Sequence, residues 1–292
     1  MEHLQVLLVV IPLLAAPVCA VLPGQRLPWL VATLATWSSL ACAAWLAHAI
    51  GAAGTLSYEL GGWAAPWGIE FRLDAANALV QLLVTGLAAV VLPFAGPSAE
   101  REIPPERQGG FYAAVLLLLT GLLGIAGTGD AFNVFVFLEI SSLATYTLIA
   151  LGRDRRALTA SFRYLIMGTL GATFYLIGIG LFYAMTGTLN MADLAERLPA
   201  VADTRTMHTA VAFVTVGVCL KLALFPLHLW LPNAYAYAPS AVSALLAATS
   251  TKVAVYLLIR LFYTVIGADF AFGQLSLGLA LMALAVLGML VA

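Results

Sequence analysis

The sequence has 292 residues, of which 63% are hydrophobic and 9% are charged, with a formal net charge of −1 and a mean hydropathy of +1.01. Soluble domains carry about 25% charged residues, so this composition excludes an ordinary soluble protein. The sequence has no run of basic residues that would bind nucleic acid. The expected partners are therefore the lipid bilayer and other membrane subunits.

Long apolar stretches follow one another from the N-terminus onward. Spanning the hydrocarbon takes roughly 20 apolar residues in a helix. Nine stretches are long enough: 4–22, 27–50, 75–95, 111–128, 131–152, 162–186, 206–231, 240–266 and 270–292. A membrane barrel would instead need segments of about ten residues with alternating polarity. The sequence therefore predicts an all-α polytopic membrane protein with about nine transmembrane helices.

The two ends of the chain carry their own expectations. The first stretch ends in the small residues Ala16 to Ala20, as a secretory signal does. A signal peptide begins with positive charge, whereas the charged side chain ahead of this stretch is Glu2, so we predict a retained helix. The last stretch reaches Ala292 without a charged or aromatic stop, and we expect the chain to be truncated or split from a continuation.

Arginines in alternate loops predict the orientation, because cytoplasmic loops carry the excess of Lys and Arg. One set of connections holds seven arginines and the other holds three: Arg26, Arg101, Arg107, Arg153, Arg155, Arg156 and Arg163 against Arg72, Arg197 and Arg205. This excess places the turn from Arg153 to Arg156 in the cytoplasm and the N-terminus outside. Two outer loops, 51–73 and 187–204, are long enough to cover the bundle.

Three basic residues lie within apolar stretches: Lys221, Lys252 and Arg260. A lysine at the bilayer centre costs about 2.5 to 3.5 kcal/mol, so its presence calls for a partner or a task. Lys252 is central in the eighth stretch, with Thr249 at i−3 and Tyr256 at i+4. Arg260 lies near the outer helix end, where a long side chain reaches the interface, and both a structural and a functional role stay open.

Glu139 is the acid that matches these cations. It lies in the interior of the fifth stretch, whereas Asp130 lies at the mouth of that stretch. Ser142 and Tyr146 follow at i+3 and i+7, so the three side chains form a polar stripe that is expected to face the bundle interior.

The seventh stretch contains Lys221, Pro226 and His228. Pro226 has no N–H to donate to the carbonyl of Leu222, so we expect the helix to break beside Lys221. Broken helices at membrane depth line wet cavities and recur at the ion sites of transporters. His228 follows Lys221 by seven residues, and imidazole exchanges protons near neutral pH. Its alternative role is to anchor an interface beside Trp230.

These groups predict a proton relay. Moving Glu139 toward or away from Lys221 would change how tightly the amine holds its proton, which would then pass through water to Lys252. The alternative is a static ion pair between Glu139 and Lys221 that fixes helix register. A structural role is harder to defend for Lys252, which has no second buried acid in view.

Four ordered motifs resemble a known family: Thr128 to Asn133 leading into Glu139, Thr186 to Leu194, Lys221 to Pro232, and Pro239 to Leu246 with Lys252. Together they resemble the antiporter-like subunits of respiratory complex I, membrane-bound hydrogenases and Mrp-type Na+/H+ antiporters. Residues 187–192 are most similar to the D subunit of the Mrp type. The resemblance covers about residues 111–292 and implies that Glu139, Lys221 and Lys252 are the charges that the family uses.

The resemblance also implies an architecture. Family members have about fourteen helices built as two inverted five-helix repeats. This chain would then contain three N-terminal transmembrane helices in 1–110, a proton-translocating five-helix repeat in 111–267, and a partial ninth helix in 268–292. The second repeat is missing, so the chain is expected to be truncated relative to the family or completed by another polypeptide.

The implied function is that of a proton-translocating subunit of a multisubunit cation/proton antiporter in a prokaryotic plasma (inner) membrane. Its site residues would be Glu139, Lys221, Lys252 and His228, and whether Na+ also passes is left open. The alternative is a proton-pumping subunit of a complex I-like NADH dehydrogenase or membrane-bound hydrogenase, and a third possibility is a purely structural membrane subunit.

Cofactor chemistry is not expected in this chain. The sequence has no Gly-rich phosphate loop, zinc spacing or catalytic triad, and Cys19, Cys42 and Cys219 lie in apolar stretches without paired spacing. We therefore predict no metal and no cofactor, and the chain itself is not expected to be a redox catalyst.

Overall fold

A computed structural model describes residues 3–291, so the predictions that involve Glu2 and Ala292 fall outside the described residues. The helices are α1 (Leu4–Val21), α2 (Arg26–Ala53), α3 (Ala75–Glu102), α4 (Pro105–Gly127), α5 (Ala131–Ala150), α6 (Arg156–Thr186), α7 (Met191–Arg197), α8 (Arg205–Leu222), α9 (Leu231–Tyr237), α10 (Ser240–Arg260) and α11 (Leu277–Val291). A hairpin of strands β1 (Leu56–Glu59) and β2 (Glu70–Leu73) lies between α2 and α3.

Within residues 3–291, seven helices are long and apolar enough to cross a membrane: α1 to α6, and α10 together with the π-helical turn Leu261–Val265 that continues it. The predicted all-α polytopic membrane fold is therefore confirmed. α3 runs on to Glu102 and α6 begins at Arg156, beyond the predicted stretches 75–95 and 162–186. Apolar composition marks the hydrocarbon-spanning part of a helix, whereas its polar ends continue into the interface.

The remaining two predicted spans are not single long helices. The stretch 206–231 forms α8, an irregular segment and the start of α9, as the predicted break requires. The stretch 270–292 begins in a π-helical segment, Asp269–Gln274, and continues as α11, which has 15 residues within the described part of the chain.

α4 is the central helix of the bundle. In its most apolar 18-residue window, 83% of the residues are buried, compared with 33% to 56% in the other six spanning helices. Glycines bring α5 against it: a Cβ added at Gly121 would lie 2.6 Å from the Cβ of Ser141. This close approach places Ser141 of α5 directly against the central helix.

Small residues also bring α6 and α8 together. A Cβ added at Gly217 would lie 2.6 Å from the carbonyl oxygen of Gly171 and 2.7 Å from the nitrogen of Tyr175. Membrane helices associate through such small residues because backbones that approach closely gain van der Waals contact. The pairing fixes the C-terminal end of α8 beside α6, where the candidate site lies.

Two of the sequence motifs meet at the ends of their helices. Asp130 accepts a hydrogen bond from the backbone N–H of Asn133 at 2.7 Å and caps α5, and Asn190 caps α7 in the same way. Asp130 and Asn190 pair as an antiparallel bridge, and the side chain of Asn190 donates to Glu70 of β2 at 2.9 Å. The loops predicted to cover the bundle thus hold one another through helix caps and the hairpin, which the all-α prediction did not include.

Candidate proton relay

Lys221 lies in the last turn of α8 and is 9% exposed. The carbonyl groups at a helix C-terminus carry partial negative charge, which favours a cation in the last turn. The helix end therefore supports the charged form of a lysine that the surrounding apolar core disfavours.

A Schellman motif ends α8 directly after Lys221. The N–H of Leu224 donates to the carbonyl of Cys219 at 3.0 Å, and the N–H of Ala223 donates to that of Leu220 at 3.3 Å. Ala223 has φ 58° and ψ 41°, the left-handed conformation that this motif requires at its turning residue. The helix thus ends at Leu222, four residues before Pro226, and Ala223 occupies the turning position at which glycine is usual.

The amine of Lys221 is held by neutral groups of two other helices. It donates to the hydroxyl of Ser142 on α5 and, at 3.4 Å, to that of Tyr164 on α6. The Nζ also lies 5.3 Å from the centroid of the Tyr164 ring, a cation–π distance.

Two further aromatic rings pack against Tyr164 and hold it in contact with Lys221. Tyr164 stacks on Trp230 with ring centroids 4.0 Å apart and an interplanar angle of 14°, and Tyr146 lies edge-on to it at 4.8 Å. The indole N–H of Trp230 donates at 3.1 Å to the carbonyl of Leu220, which also accepts from the N–H of Ala223 at the end of α8. The irregular segment therefore folds back and fixes the ring that faces Lys221.

Glu139 does not form a direct ion pair with Lys221. The ion pairs among residues 3–291 join Arg156 to Asp154, Arg197 to Asp193 and Arg260 to Asp74. Glu139 is half-buried on α5, and its Oε1 is buried without a hydrogen-bonding partner among the described residues. Its neighbours Ser142 and Tyr146 are 0% and 7% exposed, so this part of the predicted stripe faces inward.

A small cavity lies beside Lys221 and connects it to α10. Its volume is about 20 Å³, enough for one water molecule, and its polar lining consists of Ser141, Thr145, Tyr164, Lys221 and Ser250. The Oγ of Ser250 on α10 is buried without a hydrogen-bonding partner within the described residues. A water in this cavity would satisfy that hydroxyl and place a proton acceptor between α8 and α10.

Lys252 is not brought together with Lys221. It is exposed on α10, where its Nζ donates to the carbonyl of Ala247 at 2.5 Å and approaches the hydroxyl of Thr251 at 3.4 Å. Lys252 follows Ser250 by two positions, which is about 200° around the helix axis. The inner face of α10 thus meets the cavity, while its outer face carries the amine.

His228 lies in the irregular segment between α8 and α9. It is half-buried, its ring centroid is 5.5 Å from that of Phe225, and its Nδ1 is buried without a partner among the described residues. In this segment, Trp230 rather than His228 supports the lysine, by stacking on Tyr164. Trp230 had no local signal in the sequence, because its stacking partner Tyr164 is distant along the chain.

Arg260 is held in a polar cluster at the C-terminal end of α10. It donates to Asp74 at 2.7 Å and to Asn77, and its Nε donates to the hydroxyl of Tyr256 at 3.2 Å. Burial alone raises the pKa of Asp74, but hydrogen bonds from Arg260 and from the first turn of α3 hold it below its ordinary value. Arg260 is therefore positioned as a link between α3 and α10.

A second carboxylate ties the opposite ends of the same helices together. Glu102, the last residue of α3, accepts the backbone N–H of Ser240 at 2.9 Å and the hydroxyl of Ser98 at 2.6 Å. α10 thus has an acid at its N-terminus and an arginine at its C-terminus, as the helix dipole favours. No local pattern indicated this link, because the partners are far apart along the chain.

Comparison with known proteins confirms the resemblance expected from the motifs. The family model described as NADH:quinone oxidoreductase/Mrp antiporter, transmembrane, matches residues 128–292. The chain is 48% identical over 270 residues to NADH-quinone oxidoreductase subunit N of Desulforudis audaxviator, covering 90% of this chain and 53% of that protein. It is 34% identical over 283 residues to the D subunit of the Na(+)/H(+) antiporter of Bacillus subtilis, covering 96% and 57%.

Solved structures agree with these matches. A chain of the membrane-bound sulfane sulfur reductase, an archaeal respiratory membrane complex, superimposes with a TM-score of 0.89 at 30% identity, covering 98% of this chain and 57% of that one. The chain thus spans about half the length of the relatives that it matches.

Proposed function

We propose that this chain, which belongs to the NADH:quinone oxidoreductase/Mrp antiporter transmembrane family, moves protons as a membrane subunit of a multisubunit cation/proton antiporter. The observation that carries the proposal is the environment of Lys221: a buried amine at a broken helix, held by hydroxyls and an aromatic ring, with no carboxylate in direct contact among the described residues. Intramembrane ionisable groups with such surroundings mark ion and proton pathways.

The proposed switch is the distance between Glu139 and Lys221. Burial disfavours the ammonium, whereas the helix end and the face of Tyr164 favour it, so the approach of a carboxylate would change how tightly the amine holds its proton. Ser142, which accepts from the amine, follows Glu139 by one helical turn on α5. A short movement of the amine from Ser142 to Glu139 would form an ion pair and load a proton, and the reverse movement would release it.

The proposed exit from Lys221 is the cavity that it shares with Ser250. A water there accepts from the amine and donates to the free hydroxyl, which carries the proton to the inner face of α10. Onward transfer to Lys252, on the opposite face of α10, would need a further water or a side chain of a partner. His228, whose buried Nδ1 has no hydrogen-bonding partner among residues 3–291, is proposed to exchange protons between the irregular segment and water.

The outer face of α10 is proposed to lie against another polypeptide segment. An exposed lysine in mid-membrane would cost about 2.5 to 3.5 kcal/mol against lipid. Lys252 is in that position, and the chain spans about half of its relatives. We therefore propose other membrane subunits, or a further part of the same protein, as partners at this face. Protons are the proposed cargo, and Na+ is the cation proposed to be exchanged for them.

The domain boundaries and the location are part of the same proposal. Residues 1–110 are assigned to N-terminal helices, 111–267 to the five-helix repeat with α4 entering from Pro105, and 268–292 to a ninth helix. The proposed membrane is the plasma (inner) membrane of a prokaryote, with the N-terminus outside and Arg153 to Arg156 in the cytoplasm.

A second candidate is a proton-pumping subunit of a complex I-like NADH dehydrogenase or membrane-bound hydrogenase. The observation in its favour is the identity of 48% to an NADH-quinone oxidoreductase subunit, compared with 34% to an antiporter subunit. The work of this chain would be the same in both assemblies, because the relay needs a source of coupling energy but no cofactor of its own.

The test is proton flux in vesicles that contain the purified complex, followed with a fluorescent pH indicator. We expect flux when Na+ or K+ is added against a pH gradient, and no flux in the Glu139→Gln variant at equal abundance. Flux that instead requires an electron donor and acceptor would establish the second candidate. Flux in Glu139→Gln equal to wild type would contradict the relay in either assembly.

A further inference from the structure

We propose that a pocket between α6 and α9 binds the phosphodiester headgroup of an anionic phospholipid. The pocket has a volume of about 210 Å³ and is lined by Arg156, Thr159 and Arg163 of α6 and by Asn233 and Tyr237 of α9. These side chains supply guanidinium, amide and hydroxyl donors, the groups that bind phosphate oxygens.

The charge balance around the pocket favours an anion. Arg156 contacts Asp154 at 3.9 Å, and both side chains are largely exposed, so this pair leaves the guanidinium free to bind. Arg156 is also oriented, because it donates to the hydroxyl of Tyr237 at 3.3 Å and lies 5.7 Å from the centroid of that ring. Arg163 forms no ion pair within residues 3–291. The pocket therefore holds two cations and no acid in its described lining.

The depth of the pocket matches a lipid headgroup. α6 has 31 residues and is about 46 Å long, whereas the hydrocarbon is about 30 Å thick, so roughly 8 Å extends beyond it at each end. Arg163 is seven residues from Arg156, about 10 Å along the axis, and its long side chain reaches up from the hydrocarbon boundary. The two arginines thus bracket the interface.

An apolar stripe continues from the pocket into the membrane. Thr159, Arg163, Ile166 and Leu170 are spaced by four, three and four residues, which places them on one face of α6. Ile166 and Leu170 are each 46% exposed. A phospholipid would lay an acyl chain along this stripe while its phosphate occupies the pocket, whereas a free phosphate would leave the stripe unused.

A lipid bound in this pocket would affect the proposed relay because α6 and α9 both lead to residues around Lys221. Arg163 precedes Tyr164, which contacts Lys221, and α9 follows Trp230, on which Tyr164 stacks. A headgroup that binds α6 and α9 together would hold these rings in place. Lipid binding is nevertheless measured separately from proton flux, so a failed relay leaves this proposal intact.

The experiment is native mass spectrometry of the protein, purified with its natural subunits in detergent and titrated with phosphatidylglycerol or with phosphatidylcholine. We expect tighter binding of phosphatidylglycerol, and a loss of about tenfold in that preference in Arg156→Gln/Arg163→Gln, since this variant removes both charge-assisted donors from the pocket. Arg155→Gln is the matched control, because this exposed arginine of the same turn does not line the pocket and should retain the preference.

A charge-preserving variant protects the test against misfolding. Arg156→Lys/Arg163→Lys keeps both cations but loses the planar fork, so it should retain part of the preference. Equal binding of both lipids by the wild type would overturn the proposal. So would an equal loss in Arg155→Gln and in the double glutamine variant. Displacement of phosphatidylglycerol by millimolar inorganic phosphate would also overturn it, because the site would then bind a soluble anion.

Discussion

Replacing Ala223 by glycine tests the helix end that positions Lys221. Ala223 has φ 58°, in the left-handed region, and its N–H and that of Leu224 close the Schellman motif. For a residue with a Cβ this conformation costs about 1 to 2 kcal/mol, whereas for glycine it does not. Replacing Ala223 by glycine removes this cost, but it also makes the unfolded chain more flexible, which cancels about 0.4 to 1 kcal/mol of the stabilisation.

The expected net effect of Ala223→Gly is stabilisation by about 0.5 to 1 kcal/mol. For a protein of this size, that corresponds to an increase of about 1 to 3 °C in apparent melting temperature. The assay is thermal unfolding in detergent at a fixed heating rate, followed by a thiol-reactive or intrinsic fluorescence signal.

Ala212→Gly is the matched control. Ala212 is exposed within the same helix, α8, where glycine costs about 1 kcal/mol relative to alanine. The two glycine variants should therefore shift the melting temperature in opposite directions. Equal destabilisation by both would mean that the helix continues through Ala223, and the proposed break beside Lys221 would be wrong.

Three further predictions address the relay and its supports. Lys252→Arg should block proton flux because guanidinium does not release its proton. Lys252→His should keep part of the flux, with its optimum at lower pH, because imidazole has a lower pKa than an amine. If a flux assay over a pH series gives the opposite order, Lys252 is a structural cation. Ser250→Ala should slow flux by about tenfold, less than the roughly 100-fold effect of a positioned acid-base group, while Ser250→Thr, which keeps the hydroxyl, should be nearly normal. Asp74→Asn should lower stability by about 1 kcal/mol, because Asp74 pairs with Arg260 at a partly exposed site. Since the pKa of Asp74 is lowered from 3.8, that contribution is present above the ordinary pKa and is lost as pH falls through the lowered one, so melting curves of wild type and Asp74→Asn should converge in acid.

The spanning helices were predictable from the sequence because hydrophobicity is a local property. Twenty apolar residues need to be helical in lipid whatever their neighbours are, since every backbone polar group must be satisfied within the segment. The break beside Lys221 was predicted from Pro226, yet α1 continues through Pro12 and Pro17, and α3 through Pro93 and Pro97. Proline alone therefore does not decide where a membrane helix ends, and here the turn at Ala223 does so.

The contacts that surround the relay were not predictable, because they join residues far apart in sequence. The stacking of Tyr164 on Trp230, the cap that Glu102 places on α10, and the cavity at Ser250 each depend on how helices pack. The sequence places Lys252 near the middle of its apolar stretch, but it does not show which face of the helix carries the side chain. Only the packing of α10 shows that its outer side carries this lysine.

The most direct measurement of the central claim compares Lys221→Met and Lys221→Arg in proton flux by the intact complex in vesicles, at matched abundance. Lys221 is proposed to gain and lose a proton, so both variants should be inactive: methionine carries no charge, and guanidinium keeps its proton. If Lys221 served only as a fixed cation beside Ser142 and Tyr164, arginine would preserve flux while methionine abolished it. Flux in Lys221→Arg equal to wild type would contradict the relay.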